Sequence, residues 1–420
     1  MGLTLIIDKS TFQSLSLSEV IRMHNYYRPT ITPILVMEII ADLKKSFDNS
    51  DQSKKRVTDF AKKLMPYNSA VNIHYLEILT GELLYGNTDF NYRPVLGNSE
   101  VVRSSSGQLG FQFKETEQEK AISRWKNGDF LKAEEELAQI WREFTKQEDL
   151  LENLKKTLKD KYPLNKEFKD LESLNMFISE LLEDDNIQNE LLMWILSEFG
   201  VSTELCSSIF ARWEGCSIKK IQNFSAFAYH CCKVKLLFDF ALRYELIGTR
   251  PTNLLDLQYL YYLPFCYIFT TNDKFQLKIA PYLIDEKQKI IDGSELKKDL
   301  KFLTEYCETL DDPKDIDRTR REPPQLPQSL TFQLWTEYFD WPLKYKMKDN
   351  KTTEYYKEKM DEFISATKTE RNDMLGKEPE FIVREHFLGP TDFCICGSGK
   401  YFKDCCGIDV FDEHGKPKIR

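Results

Sequence analysis

The chain has 420 residues, 41% hydrophobic and 30% charged, with a formal net charge of -9. That length exceeds one compact core and predicts two or three folding units, while the apolar content excludes wholesale disorder. No apolar run approaches the roughly 18 residues that span a bilayer, and the acidic balance argues against nonspecific coating of nucleic acid while leaving room for a local basic groove.

The run LTLII at 3–7 is short, wholly apolar and closed by Asp8, the pattern of a buried parallel strand. The N-terminus has no basic start, and an acid cuts its apolar run, so no signal peptide is expected. Ile6 also spoils a myristoylation site, and a cytoplasmic protein is expected. A helix is predicted around Leu17–Tyr26, with Ser16 or Ser18 as its cap. The second apolar run, ITPILVMEIIADLKKSF at 31–47, passes into a helix that carries Glu38.

The character changes from about 47 to 222. The polar stretch DNSDQSKKR at 48–56 reads as a loop, and the charged amphipathic stretches 115–161 and 171–199 read as helices with a solvated face. Gly and Ser near 93–113 predict a loop or a short hairpin. The run RWKNGDFLKAEEELAQIW at 124–141 resembles one tetratricopeptide-type unit, but a single copy reads as an ordinary helical hairpin. An apolar helix returns around 225–249, and FCYIFTTNDK at 265–274 is a second apolar strand ending near Asp273. The Pro-rich, charged segment 311–328 reads as a linker, and a helical piece is predicted over 352–377.

Ten cysteines are too few for a disulfide scaffold, but four of them crowd into FCICGSGKYFKDCCG near the C-terminus. Cys394, Cys396, Cys405 and Cys406 form two close pairs across a short loop, enough to enclose one tetrahedral ion. Thiolates favour zinc, and four protein ligands make such a site structural. These residues resemble the SEC-C motif, a small zinc knuckle found at the end of the protein-translocation ATPase and of many bacterial proteins. The resemblance covers about 14 residues and implies docking to a partner such as a chaperone or the ribosome. GSGK within it lacks the spacing of a phosphate loop.

A second constellation is spread along the chain. Asp8 ends the first strand, Glu38 lies in the helix after ITPILV, Asp256 sits in the helix-like NLLDLQYL, and Asp273 follows the strand FCYIFTT. Ligands bind at the carboxyl ends of strands in an open parallel sheet. Carboxylates that converge there stay ionised beside an apolar core if a cation neutralises them, and several make an oxygen-ligand site for Mg²⁺ or Mn²⁺. Two such ions would bracket an in-line phosphoryl displacement, one activating water and one stabilising the leaving 3′ oxygen.

The pattern resembles the PIN nuclease family, in which a D-x-[ST] motif ends the first strand, a Glu follows, and two Asp lie nearer the end. Asp8-Lys9-Ser10, Glu38, Asp256 and Thr271-Asn272-Asp273 match these elements in order. The distance from Glu38 to Asp256 is far longer than a PIN domain allows, which implies a domain split by a helical insertion. The expected fold is α/β: a PIN-like parallel-sheet core interrupted by a large all-α insertion, plus a small C-terminal zinc knuckle. The expected parts are 1–47 and 225–300 for the core, 48–224 for the insertion, 301–390 for a linker and helical extension, and 391–410 for the knuckle. The resemblance implies a metal-dependent endonuclease that cuts single-stranded RNA in preference to DNA, with Asp8, Glu38, Asp256 and Asp273 as metal-binding catalytic acids and Ser10, Asn272 and Lys274 in support.

Several choices stay open at this level. Asp239 competes with Asp256 for the third place, and Asp42, one turn past Glu38, reads as solvated. Lys9 and Lys274 flank the acids, and Lys233, Lys235, Arg243 and Arg250 form a possible basic edge for substrate phosphates. Tyr259, Tyr261 and Tyr262 either stack bases or pack in the core. His230-Cys231-Cys232 reads as buried rather than metal-binding, because adjacent helical residues face different ways, and Arg318–Arg321 reads as solvated linker. The rival function is a non-catalytic adaptor that binds protein through its helices and knuckle.

Overall fold

The computed structural model describes residues 2–45, 50–64, 71–86, 88–91, 93–95, 99–103, 109–113, 116–162 and 166–339. The cysteine quartet at 394–406 and the helix expected over 352–377 lie outside these residues.

All five residues of the first strand, β1 (Leu3–Ile7), are buried, as a strand covered on both faces requires. Asp8 then starts α1 (Lys9–Ser14), and α2 (Leu17–Tyr26) follows with a capping box between Ser16 and Glu19. The second strand, β2 (Tyr27–Thr30), was not expected from the sequence. The apolar run after it is helical from the start: Thr32 caps and Pro33 opens α3 (Pro33–Ile40), a combination that favours a helix over a strand. Pro29 cannot donate to a ladder, and β2 is an edge strand.

A helical region follows. It contains α4 (Ser50–Leu64), which absorbs most of the expected loop at 48–56, and α5 (Tyr75–Tyr85). The hairpin β3 (Ser99–Arg103) and β4 (Leu109–Phe113) pairs antiparallel, with Val101 opposite Phe111, so the insertion is not all-α. Beyond it come α6 (Glu117–Lys126), α7 (Lys132–Thr145), α8 (Leu150–Lys161), α9 (Leu171–Glu183), α10 (Gln188–Glu198), α11 (Thr203–Glu214) and α12 (Ile221–Phe224). The helix α13 (Ala226–Arg243) is apolar almost all round because it packs on α5, α8, α9 and α12 as well as on α14 (Asn253–Leu260). The boundary expected at 224/225 therefore falls between helices that pack together.

The chain returns to the sheet with β5 (Ile268–Thr271), α15 (Lys274–Ile279), β6 (Lys289–Asp292) and α16 (Gly293–Glu308). The sequence reading missed β6, whose four residues alternate polar and apolar too briefly to stand out. The expected linker at 311–328 contains α17 (Pro313–Thr319), and Tyr26 donates to the Thr319 carbonyl at 2.7 Å, so this segment is packed. The last described helix is α18 (Leu330–Phe339).

The protein is thus α/β and mostly helical around a four-stranded parallel sheet of order β2-β1-β5-β6. Ile6 lies opposite Phe269 and Ile7 opposite Thr270, so segments more than 250 residues apart are neighbours in the sheet. From β1 the chain moves to one edge, and from β5 it moves to the other. The carboxyl ends of β1 and β5 therefore flank the topological switch point, where an open parallel sheet leaves a crevice. No described helix is long and apolar enough to cross a membrane.

Candidate functional site

Three strands end in an Asp that caps the next helix. The Asp8 carboxylate accepts the amides of Thr11 (2.9 Å) and Ser10 (3.2 Å) and the Ser10 hydroxyl (2.5 Å). Asp273 Oδ1 accepts the amides of Phe275 (2.8 Å) and Gln276 (3.1 Å), and Asp292 caps α16 through the Ser294 amide (2.8 Å). Ser10 ties two ends together, because its hydroxyl also receives the Asn272 amide at 3.1 Å. The α16 backbone closes on the same spot: a Cβ on Gly293 would stand 2.1 Å from Thr11 Oγ1 and 2.7 Å from Asn272 Nδ2.

Glu38 and Asp256 enter from helices. The Tyr259 hydroxyl, one turn past Asp256 on α14, donates to Glu38 Oε2 at 2.5 Å. Gln276 donates to the Asp256 carbonyl (2.9 Å) and accepts from the Thr271 hydroxyl (2.6 Å), which fixes α14 against the end of β5. Arg250 Nη2 lies 3.5 Å from Asp256 Oδ2 and 3.6 Å from Asp273 Oδ2, so one guanidinium spans both acids.

The electrostatics show that these acids share one neighbourhood. Burial raises the Asp8 carboxyl above the usual range, against hydrogen bonds led by Ser10. Burial also raises Glu38, with the charges of Asp8 and Asp42 adding to it and Lys9 and the Tyr259 hydroxyl opposing. Asp256 is raised furthest above the carboxylate range, by burial first and then by Asp273, Glu38 and Asp8, with Arg250 opposing. Such mutual influence requires short distances at low dielectric. The geometric links are that Arg250 spans Asp256 and Asp273, Ser10 joins Asp8 to the Asn272 amide, and Tyr259, one turn from Asp256, holds Glu38. Asp239 belongs elsewhere, bound by Lys235 Nζ at 2.6 Å and by the Tyr162 hydroxyl at 3.2 Å.

Asp42 corrects the sequence reading. It is fully buried, not solvated, and is ringed by Arg142 (2.5 Å), Arg56 (2.9 Å), Lys9 (3.0 Å) and Lys45 (3.9 Å). Burial alone would raise its carboxyl, but Lys9, Lys45 and Arg56 overcome that and hold it below the ordinary value. Lys9 is consequently committed to Asp42 and to the Glu38 carbonyl (2.6 Å), not turned toward substrate.

Of the expected basic edge, only Arg250 reaches the acids. Lys235 binds Asp239 and Glu198, Arg243 donates to the Tyr162 carbonyl, and Lys233 is half-buried. Lys274 and Asn272 are exposed at the start of α15. Tyr259, Tyr261 and Tyr262 are buried, with Tyr261 stacked on Tyr75 at 4.3 Å, so they form no base-stacking platform. Cys231 and Cys232 are buried, and His230 is kept neutral by burial, its Nε2 donating to the Leu260 carbonyl. Arg318 and Arg321 pair with Glu322 and Asp317 along their own segment.

The sequence reading missed the roles of Tyr259, Gln276 and Gly293. A signal existed for Tyr259, which lies three residues after Asp256 and so shares its helix face.

Among the described residues, no three His, Cys, Asp or Glu side chains stand ready around one point to hold an ion. The chemistry of the donors nevertheless suits a hard divalent cation, since all are carboxylate oxygens and three are held above their usual range by burial. The cation that spans Asp256 and Asp273 is Arg250, whose side chain is 62% exposed and also donates to the Thr252 hydroxyl. Compared with known proteins, the chain matches no family model, no curated protein and no solved structure.

Proposed function

We propose that the protein is a metal-dependent endonuclease of PIN-like type that hydrolyses phosphodiester bonds, with single-stranded RNA as the preferred substrate. The observation that carries this reading is the convergence of acids at the switch point of the parallel sheet, where Arg250 spans Asp256 and Asp273, the Ser10 hydroxyl links Asp8 to the Asn272 amide, and the charges of Asp273, Glu38 and Asp8 add to the burial that raises Asp256. Such an arrangement is costly unless a ligand of opposite charge is gained by it.

Asp8, Glu38, Asp256 and Asp273 would hold Mg²⁺ or Mn²⁺, which when bound supplies an activated water and a counter-charge for the leaving 3′ oxygen. The protein's own part is positional. Ser10 and the Thr11 amide fix the Asp8 carboxylate, and the Tyr259 hydroxyl fixes Glu38. Asp273 keeps Oδ1 on the α15 amides and offers Oδ2 to the crevice. Arg250 would leave the acids and meet a substrate phosphate, since a guanidinium serves either partner. Asn272 and Lys274, exposed beside Asp273, would contact the same strand.

The sequence motif at Cys394, Cys396, Cys405 and Cys406 supports a structural zinc knuckle of SEC-C type that docks a protein or ribosome partner. One observation favours the rival adaptor: Asp8 and Asp273 are both satisfied as helix caps, a purely architectural use.

The deciding experiment incubates purified protein with end-labelled single-stranded RNA and DNA in Mn²⁺, Mg²⁺ or EDTA, beside Asp256→Asn and Asp273→Asn, with zinc content measured in parallel. Metal-dependent cutting by the unaltered protein alone is expected. Absence of cutting on every substrate, with the fold intact, would leave the adaptor.

A further inference from the structure

The residues α1 shares with the first helix of the insertion form an open cleft of about 580 Å³, lined by Gln13 of α1 and by Lys55, Arg56, Asp59, Phe60 and Lys63 of α4. Three cations face one acid there. The Phe60 ring lies between two of them, with the Arg56 guanidinium and the Lys63 ammonium each 5.5 Å from its centroid. Lys63 also stands 6.0 Å from the Phe12 ring and donates to the Leu15 carbonyl at 2.6 Å. Burial lowers the Lys63 ammonium, with Lys297 adding to the effect against Asp59 and Glu19, so positive charge is crowded on this side of α1. Such a wall favours an anion.

A chain of hydrogen bonds leads from the cleft toward the acid cluster. Helix α1 begins at the Asp8 cap, and Gln13 follows about 7 Å further along its axis at 1.5 Å per residue. Arg56 bonds both Gln13 (3.4 Å) and Asp42 (2.9 Å), and Lys9 joins Asp42 to the Glu38 carbonyl. The acids repel a polyanion and need a neighbouring surface to retain one.

We propose that this α1–α4 cleft binds the phosphate backbone of single-stranded RNA a few nucleotides from the bond that is cut, through Lys55 and Lys63 with Arg56 and Gln13 beside them. The proposal rests on the nuclease reading and gives the insertion a role in holding substrate. The bonds are to phosphate, so they are indifferent to base sequence.

The test measures anisotropy of a short fluorescein-labelled oligouridine in EDTA, over a range of salt, with the full chain. The variants are Lys55→Gln, the double Lys55→Gln/Lys63→Gln, and Lys132→Gln as a control, whose side chain is 91% exposed on α7 and does not line the cleft. Thermal midpoints establish that each variant is folded. The double variant is expected to bind about 10-fold more weakly and to lower the salt slope by about 0.7 for each phosphate it no longer neutralises, while the control matches the unaltered protein. Unchanged affinity and slope in the cleft variants would overturn the proposal, and so would no binding of RNA by the unaltered protein at low salt. Cleft-dependent binding without cutting in Mg²⁺ or Mn²⁺ would retain the cleft and remove the hydrolysis. Cutting that Lys55→Gln/Lys63→Gln leaves unaltered in KM would retain the hydrolysis and remove the cleft.

Discussion

Carboxylates that are buried side by side repel one another, and each hydrogen bond to them recovers only part of the lost hydration. Asp256 shows this most clearly, being 8% exposed and facing Asp273, Glu38 and Asp8 against Arg250 alone. Its folded-state carboxyl is raised, so the folded chain holds this proton more tightly than the unfolded one. Stability therefore falls as pH rises from the ordinary carboxylate value through the raised one, because more protons are bound to the folded state in that window. We expect Asp256→Asn to flatten this dependence and to raise the metal-free thermal midpoint near neutral pH by about 2–4 °C, while metal-dependent activity is lost. Scanning calorimetry of both proteins between pH 5 and 8 reads it directly, and a lower midpoint in the variant would contradict the charge argument. The sequence could single out these acids as candidates because Asp8 and Asp273 close apolar strand runs and Glu38 and Asp256 lie in helical ones. Arg250, Tyr259 and Gln276 were not legible as their partners, since each acts across the fold on a residue its own neighbours do not announce.

Elements impose their own constraints on the site. The first residue of α16 touches both Thr11 and Asn272, so this helix is held against the ends of β1 and β5 only because position 293 has no side chain. Its φ is not in the left-handed region, and the demand is for space alone. A methyl group there must push α16 away or displace the bond from the Asn272 side-chain amide to the Thr11 hydroxyl. We expect Gly293→Ala to destabilise by about 1–3 kcal/mol, as overpacking does, and to weaken activity in step. Urea denaturation measures the first, and full stability with full activity would mean that α16 has room to move. The same scale explains what the sequence concealed. β1 was readable because a short apolar run ends in an acid, and α2 because a Ser at 16 or 18 offered a cap, of which the structure uses Ser16. β2 was missed because its four residues, one of them Pro29, are overshadowed by the richer apolar run after them, which is a helix opened by Thr32 and Pro33. β6 is too short to carry a pattern of its own and is received by the sheet edge, whereas α17 was hidden in a Pro-rich, charged segment although Asp312 caps it, Pro313 opens it and Tyr26 bonds its end.

For the whole molecule, the central question is how a sheet whose middle strands are so far apart in sequence keeps its geometry. Pairing β1 with β5 closes a very long loop, an entropic cost that later contacts must offset. Asp42 supplies one such contact. Its carboxylate gathers Lys9 from α1, Arg56 from α4 and Arg142 from α7, while Arg142 also donates to the Ala41 carbonyl at 3.0 Å. Core and insertion thereby meet on one buried charge, beside the helix that carries Glu38. Its lowered carboxyl has the opposite linkage to that of Asp256. The stabilisation is present above the ordinary carboxylate value and is lost as pH falls through the lowered one. We expect Asp42→Asn to leave its cations unbalanced and to cost about 3–5 kcal/mol near neutral pH, toward the lower end because Arg56 and Lys45 can turn to solvent. The gap to the unaltered protein should close in acid, where both carry a neutral group at this position. Denaturant titrations from pH 7 downward through the acid range measure the difference, and a gap that stays constant as pH falls would show that shape rather than charge matters at this site. Neutralising Asp256 and neutralising Asp42 thus predict opposite signs in stability, although both lie within the reach of Glu38. A fold in which all these acids served only as structural ion pairs would lose stability in both cases.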